Sequence, residues 1–336
     1  MKKNKNMKIL SLFSGCGGLD LGFKQAGFEI PVANEYDRSI FETFEKNFPK
    51  TNLIKKSIAK LEIKELPKNI DGIVGGPPCQ SWSEAGKQLG INDDRGKLFH
   101  EYIRILEGVK PKFFLAENVS GILHKKHHEA FSNILNKFSE LGYDIKYQLL
   151  DAVDFGVPQN RKRVIIIGFK KNLKINFQFP SSRLFKKQKT LQDAIGDINF
   201  AIPAKKDNKT NGILTKSNQI QNNEYMTGAF SSIYMSRNRV RGWNEPSFTI
   251  QAGGRHAPLH PDAPKMIKVG KDEMKFDEKY SKKYRRLSVR ECARIQTFPD
   301  SFNFHYNSIA DGYKMIGNAV PVKLANVLAK EIKKNL

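Results

Sequence analysis

The sequence predicts an α/β fold: a mostly parallel, doubly wound sheet domain carrying a smaller, irregular second domain. Three observations point there. The first half alternates short apolar runs with segments of helical period, the pattern of strands joined by crossover helices. Between the first apolar run and the first helical segment lies a glycine-rich turn, Ser14-Gly15-Cys16-Gly17-Gly18. After Pro180 the alternation stops, and residues 200–230 are rich in Asn, Lys, Gln and Ser without a clear period.

Taken in order, Met7 to Phe13 reads as a strand and Gly18 to Ala26 as a helix with Leu19, Leu21 and Phe23 in its apolar pattern. Ile30 to Asn34 is a second strand, followed by a helix through Phe41 and Phe44. Ile70 to Val74 and Phe113 to Ala116 are further strands, with helices near Leu98 to Val109 and Glu129 to Leu141. Tyr147 to Leu150 and Arg163 to Phe169 close this half as strands. Helical character returns at Ser288 to Ile295, and Val322 to Ile332 reads as a closing helix.

Composition narrows the class. A chain of 336 residues with 39% hydrophobic content can bury a substantial core. No apolar run of about 18 residues is present to span a membrane, and the basic N-terminus leads into no signal-type segment, so a cytoplasmic protein is expected. Cys16, Cys79 and Cys292 show no metal-like pairing, and three thiols argue against a disulfide framework. The 57 Lys and Arg against 34 Asp and Glu leave a net charge of +23, which favours a polyanionic partner, most simply nucleic acid. Ser181 to Arg286 holds 21 basic and 10 acidic residues, so nearly half the excess sits in one segment.

The most informative stretch is Gly75-Gly76-Pro77-Pro78-Cys79-Gln80-Ser81-Trp82-Ser83. Two prolines stiffen the backbone, and no helix can begin before the cysteine is passed. A lone Cys is usually a small buried hydrophobe. Here a thiol on a stiff loop at the carboxyl edge of a strand reads as a nucleophile, since open α/β sheets place their chemistry there. The second strand ends in Asn34-Glu35-Tyr36-Asp37, where an acidic residue binds ribose hydroxyls. With the glycine turn it implies a nucleoside cofactor, but the spacing Gly15-x-Gly17-Gly18 is not the dinucleotide pattern. Glu117 follows an apolar strand at the same sheet edge, and alternation in Gln159-Asn160-Arg161-Lys162-Arg163 lets Arg161 and Arg163 share one side. Each motif alone suits a solvated loop or surface charge run. Together they suit thiolate addition to an electron-poor ring, with a carboxyl group serving the ring nitrogen.

With those residues in order, the chain closely resembles the C5-cytosine DNA methyltransferases of bacterial restriction–modification systems. The matching blocks run from Leu12-Phe13-Ser14-Gly15-Cys16-Gly17-Gly18 through Gly76-Pro77-Pro78-Cys79-Gln80, Glu117-Asn118-Val119 and Gln159-x-Arg161-x-Arg163. They end with Arg290-Glu291-Cys292-Ala293-Arg294 and Gly317-Asn318-Ala319-Val320-Pro321, in family order. Pro77 to Glu84 and Ser236-Arg237-Asn238-Arg239-Val240-Arg241 are shared with its GGCC-modifying branch, that of the HaeIII modification methyltransferase.

The resemblance implies an S-adenosyl-L-methionine-binding sheet domain over residues 1–180, completed by 317–336. It implies a DNA-recognition domain over 183–286, with 287–316 as a hinge. Phe13 would stack on the cofactor's adenine and Glu35 bind its ribose, with Ile58 and Pro77 also against the cofactor. Gly15, Gly17, Leu19 and Asn318 would line the methionine end. Ser57 stands where the family usually has an acidic residue, which puts the contact to the adenine amino group in doubt. The implied mechanism flips a cytosine out of the duplex, and Cys79 adds to ring carbon 6. Glu117 would serve ring nitrogen 3, Arg163 the ring carbonyl, and Arg161 would help ionise the thiol. Arg237, Arg239 and Arg255 would read guanines within GGCC. The implied partners are double-stranded DNA, bound by a monomer, and a companion endonuclease sharing the site.

Three other readings compete with this one. A tRNA cytosine-5 methyltransferase keeps the fold, but that branch has a smaller recognition region. A degenerate, non-catalytic DNA-binding regulator is disfavoured by intact Cys79, Glu117, Arg161 and Arg163. A nicotinamide dehydrogenase fails on the glycine spacing and leaves Cys79 unexplained.

Overall fold

The computed structural model describes residues 6–78, 97–181, 187–209 and 220–336. Its first half runs β1 (Lys8–Leu12), α1 (Gly18–Gln25), β2 (Glu29–Glu35), α2 (Phe41–Asn47), β3 (Asn52–Lys55) and β4 (Gly72–Gly75). It continues with α3 (Lys97–Val109), β5 (Phe113–Val119), α4 (His128–Glu140), β6 (Tyr143–Asp151) and β7 (Lys162–Lys170). These seven strands form one sheet in the order β3-β2-β1-β4-β5-β7-β6. The first five are parallel, and β7 runs antiparallel between β5 and β6. The chain winds outward from β1 to β3, then returns to place β4 on the other side of β1. That reversal opens a crevice at the carboxyl ends of β1 and β4, where ligands bind in such sheets.

Alternation along the strands sorts the core into two layers. Ile9, Val74, Leu115 and Ile167 face one side with α1, and Leu10, Ile73, Phe114 and Ile166 face the other with Phe99, Tyr102 and Phe138. Both faces are covered, so the central strands read as continuous apolar runs. The sequence missed β3, a short strand with polar ends. Its position is held by the Asn34 side chain, whose Nδ2 donates to the carbonyls of Ile54 at 3.0 Å and Lys56 at 2.8 Å. Only the folded chain brings those groups together. The fourth strand starts at Gly72 rather than Ile70, because Asp71 is used differently: its carboxylate accepts from the Lys8 amide at 2.9 Å.

Past Pro180 the structure is irregular, as its composition suggests. It holds α5 (Leu191–Ile195), the pair β8 (Ile202–Pro203) and β9 (Glu224–Tyr225), and the hairpin β10 (Ile267–Gly270) with β11 (Glu273–Lys275). A small cluster of its own forms there around Tyr234, Val240, Leu259, Met266 and Tyr284. The chain closes with α6 (Val289–Ile295), α7 (Ile309–Asn318) and α8 (Val322–Asn335). The sequence reading lacked α7, and the expected boundary at 317 falls inside that helix. The stretch 287–316, expected as a hinge, sends Leu287, Cys292, Phe298, Tyr313 and Ile316 into the same core as α1 and α8. Among the described residues no helix is long and apolar enough to cross a membrane.

Candidate active site

The crevice beside β1 and β4 is a cavity of about 270 Å³. Phe13, Gly15, Leu19, Glu35, Pro77, Glu117, Arg161, Arg163 and Asn318 all line it, so residues spread over some 300 positions meet in one place. Two expected cofactor residues do not. Gly17 faces the Phe48 ring, and Ile58 is buried in the core layer beside α3, its carbonyl accepting from Arg104 at 2.9 Å. Cys79 lies outside the described residues, but Pro78, which precedes it, lines the cavity.

The glycine turn is built from strained backbone. Phe13, Gly15 and Gly17 have φ of 52°, 54° and 93°. At Gly17 a Cβ would overlap the ring of Phe48, which is itself 2% exposed and stacked on Phe44. Gly17→Ala is therefore expected to lower stability by about 1–3 kcal/mol, through unfavourable φ and overpacking together. Thermal denaturation would measure it, and an unchanged melting point would refute the close approach.

Glu35 ends β2 and anchors the turn. Its Oε2 accepts from the Gly15 amide at 2.9 Å, and its Oε1 from the Tyr36 and Asp37 amides at 2.8 and 2.9 Å. Burial pushes its pKa up, and those three amides oppose the rise. Beside it Asp37 pairs with Lys314 of α7 at 2.9 Å.

The opposite wall carries a carboxylate–guanidinium pair. In the antiparallel register Glu117 lies opposite Ile165 and Val119 opposite Arg163, which puts Glu117 and Arg163 on one face as diagonal neighbours. Arg163 Nε meets Glu117 Oε1 at 2.7 Å, with both side chains largely buried. The loop leading to Cys79 rests on this wall. Asn118 Nδ2 donates to the Pro77 carbonyl at 3.3 Å, and a Cβ on Gly76 would sit 3.0 Å from Glu117 Oε2.

Arg161 departs from its expected part. It lines the cavity, yet its guanidinium is held by backbone: Nη1 donates to Ile250 at 2.9 Å, and Nη2 to Gly317 and Ala319 at 2.8 and 3.0 Å. Gln159, fully buried, ties the same segments. Its Oε1 accepts from the Ile250 amide at 2.9 Å and its Nε2 donates to Gln296 Oε1 at 3.1 Å. These two side chains pin the basic segment and the end of α7 to the base of β7. Sequence reasoning quoted Gln159 in its motif but assigned it nothing, because its partners are remote.

The basic segment keeps its arginines away from this cavity. Arg237 and Arg255 are exposed, and Arg255 borders a second cavity of about 680 Å³ with His256, Asn208 and Ser308. Arg239 is different: it is 7% exposed, its Nε and Nη2 donate to Tyr234 and Ile233 carbonyls at 2.8 and 2.9 Å, and it lies over the Tyr234 ring. Two nitrogens of Arg239 are thus committed to backbone carbonyls, whereas Arg237 and Arg255 stand exposed.

A family profile described as C-5 cytosine-specific DNA methylase matches residues 7–334. The chain belongs to the C-5 cytosine-specific DNA methylases. This methylase is 58% identical to the Type II methyltransferase M.FnuDI of Fusobacterium nucleatum over 332 residues, covering 98% of this chain and 95% of the relative. It is 56% identical to M.NgoPII of Neisseria gonorrhoeae over 333 residues, covering 98% and 96%. Its fold is similar to the crystal structure of a prophage-encoded protein of Escherichia coli described as a DNA modification methyltransferase. That match has a TM-score of 0.74 and 26% identity over 98% of this chain and 99% of that one. As a family member the methylase is an enzyme that methylates cytosine in DNA at carbon 5, and family and fold imply use of S-adenosylmethionine.

The residues present fit that cofactor. At Gly15, which lines the cavity, a Cβ would meet no protein atom, Glu35 offers an anionic end to β2, and Asp20 puts a second buried carboxyl on the cavity wall. The sequence reading passed over Asp20, although an acid in the first turn of a helix opened by a glycine turn was visible.

Proposed function

We propose that this chain is a site-specific Type II DNA cytosine-5 methyltransferase of a restriction–modification system, modifying cytosine within GGCC. What supports the reading most is that the glycine turn, Glu35 and the Glu117–Arg163 pair share one cavity, beside the loop that leads into Cys79. S-adenosylmethionine, when bound, supplies a sulfonium methyl as electrophile. Phe13, Gly15, Leu19, Glu35, Pro77 and Asn318 would hold it, with Gly17 shaping the turn and Ile58 packed in the core layer beside α3.

The target cytosine is flipped from the duplex, at a cost of a few kcal/mol. Cys79 adds to ring carbon 6 as thiolate, Glu117 in its protonated form gives its proton to ring nitrogen 3 and is left as the carboxylate that pairs with Arg163, and electron density reaches carbon 5. Arg163 holds the ring carbonyl, and its contact with Glu117 at 2.7 Å keeps the two groups side by side on the cavity wall. After methyl transfer a water takes the carbon 5 proton, and its bonding electrons expel Cys79 as the thiolate. Arg161 acts by fixing the wall on which this happens.

Residues 183–286 form the recognition part, which carries nearly half of the basic excess and its own small core. Arg237 and Arg255 present whole guanidinium edges for guanine, while Arg239 reads with the edge its carbonyl partners leave. Each strand of a palindrome is modified separately, so the chain acts as a monomer, in the cytoplasm, and protects DNA from an endonuclease sharing the site.

Bisulfite sequencing of DNA from cells expressing the chain tests this. Protected cytosines are expected within GGCC alone. Protection at another motif would keep the chemistry and overturn the recognition arginines. No protection of DNA would overturn the proposal.

A further inference from the structure

His256 follows Arg255 in the single turn Gly254–His256, is half-buried, and borders the same cavity of about 680 Å³. The Nδ1 edge of its ring lies 3.1 Å from where a Cβ on Gly253 would stand, so the glycine lets the ring pack against the backbone. The neutral polar side chains around it are committed to each other or to backbone. Asn208 Oδ1 accepts from the Thr227 amide at 2.8 Å and from the Thr227 hydroxyl at 3.2 Å. Ser231 Oγ accepts from the Tyr234 amide at 3.2 Å, and Ser308 Oγ from the Ala310 amide at 3.3 Å. The imidazole of His256 makes no such bond among the described residues.

Four guanidinium groups act on that ring: Arg237 and Arg239 from the loop after Tyr234, Arg255 beside it, and Arg286. Arg286 is fixed by the carbonyls of Gly228 and Ala229 at 3.1 and 3.0 Å, two residues of the cavity wall. Burial, with those four charges behind it, holds the His256 pKa below the ordinary histidine range, so the ring is neutral at pH 7. A neutral imidazole accepts at one nitrogen, whereas a guanidinium only donates. His256 is therefore an acceptor inside a cluster of donors. Asp207 also borders the cavity, but it is exposed and stands on a separate turn.

Base-pair chemistry says what such an acceptor is for. In the major groove guanine shows two acceptors, N7 and O6, which suit arginine, while the cytosine paired with it shows a donor, the 4-amino group. A surface made of arginines alone leaves that donor without a partner. We propose that His256 accepts from the 4-amino group of the cytosine paired with the guanine that Arg255 reads, and so is a further specificity-determining residue. Two neighbours on one turn then read the two halves of one base pair. The assignment rests on the GGCC reading of the recognition segment and extends it from guanines to a cytosine.

Gel-shift titration on GGCC duplexes tests it, with each cytosine of one strand replaced in turn by 2-pyrimidinone, which lacks the 4-amino group. The wild-type chain should bind the intact duplex roughly tenfold more tightly than one of the two replaced duplexes, as for loss of one base-edge hydrogen bond. His256→Leu should bind that pair of duplexes alike, and His256→Gln, which keeps an acceptor, should restore most of the preference. A wild-type-like preference in His256→Leu would overturn the proposal, and so would its loss in Asp207→Asn instead. The wild-type preference should also hold from pH 8 to 6.5 and shrink in more acid solution, because a protonated imidazole only donates. A preference that stays level down to pH 5 would overturn the assignment even if His256→Leu does not fold. If the wild-type chain binds GGCC no more tightly than a duplex with the site scrambled, the GGCC reading itself falls, and the assignment with it.

Discussion

Replacing Cys79 with serine is expected to abolish methyl transfer, by a factor of roughly a thousand or more, while leaving DNA binding within a few-fold of wild type. A serine hydroxyl is hardly ionised at neutral pH and is a far weaker nucleophile than a thiolate, so the first bond to the ring does not form. Binding is spared because the recognition arginines belong to another part of the molecule. Arg237 and Arg255 stand in the basic segment, away from the cavity that Pro78 borders. The measurement pairs tritiated-methyl incorporation with a gel-shift titration on one duplex. Appreciable turnover by Cys79→Ser would sink covalent catalysis by this thiol. Loss of binding together with activity would mean that the Pro77–Pro78 loop, not the thiol, had been disturbed.

The second large effect is on stability. Arg161→Met is expected to lower the unfolding free energy by about 3–5 kcal/mol, because the carbonyls of Ile250 and Gly317 lose their donor and that of Ala319 keeps only Gln296 Nε2 at 3.4 Å. Denaturant titration would read this as a large fall in midpoint at unchanged slope. Cofactor affinity should fall too, since Asn318, between two of those carbonyls, lines the cavity. The sequence reading gives a different result: an arginine that ionises Cys79 would leave stability near wild type and move the pH–rate profile. A small change in midpoint with a displaced profile would restore that role and refute the clamp.

Much of the fold was legible because it is written in local pattern. Alternating apolar runs and helical segments announced the parallel sheet, and the glycine turn located its crevice. The parts that escaped depend on remote partners. β3 is a four-residue strand with polar ends, positioned by an Asn34 side chain about twenty residues earlier. α7 carries glycines at 312 and 317, which local propensity counts against a helix, but both face closely packed neighbours. The stretch 287–316, which the resemblance implied to be a hinge, sends scattered apolar residues into one core in three dimensions.

The site divides in the same way. The sequence by itself singled out the groups proposed to carry chemistry: Cys79 after two prolines, Glu117 after a strand, paired arginines, an acid at the end of β2, and a concentrated positive charge. Those depend on residue type and near neighbours, which the chain states directly. Only the tertiary structure decided how the groups are used. Antiparallel register joined Glu117 to Arg163, a clamp across 89 and 156 positions committed Arg161 to carbonyls, and burial withdrew two nitrogens of Arg239. It also buried Asp20, a residue ordinary in sequence, on the cavity wall. A charged group's behaviour follows from its partners and its dielectric surroundings, and both are set only when distant segments pack together.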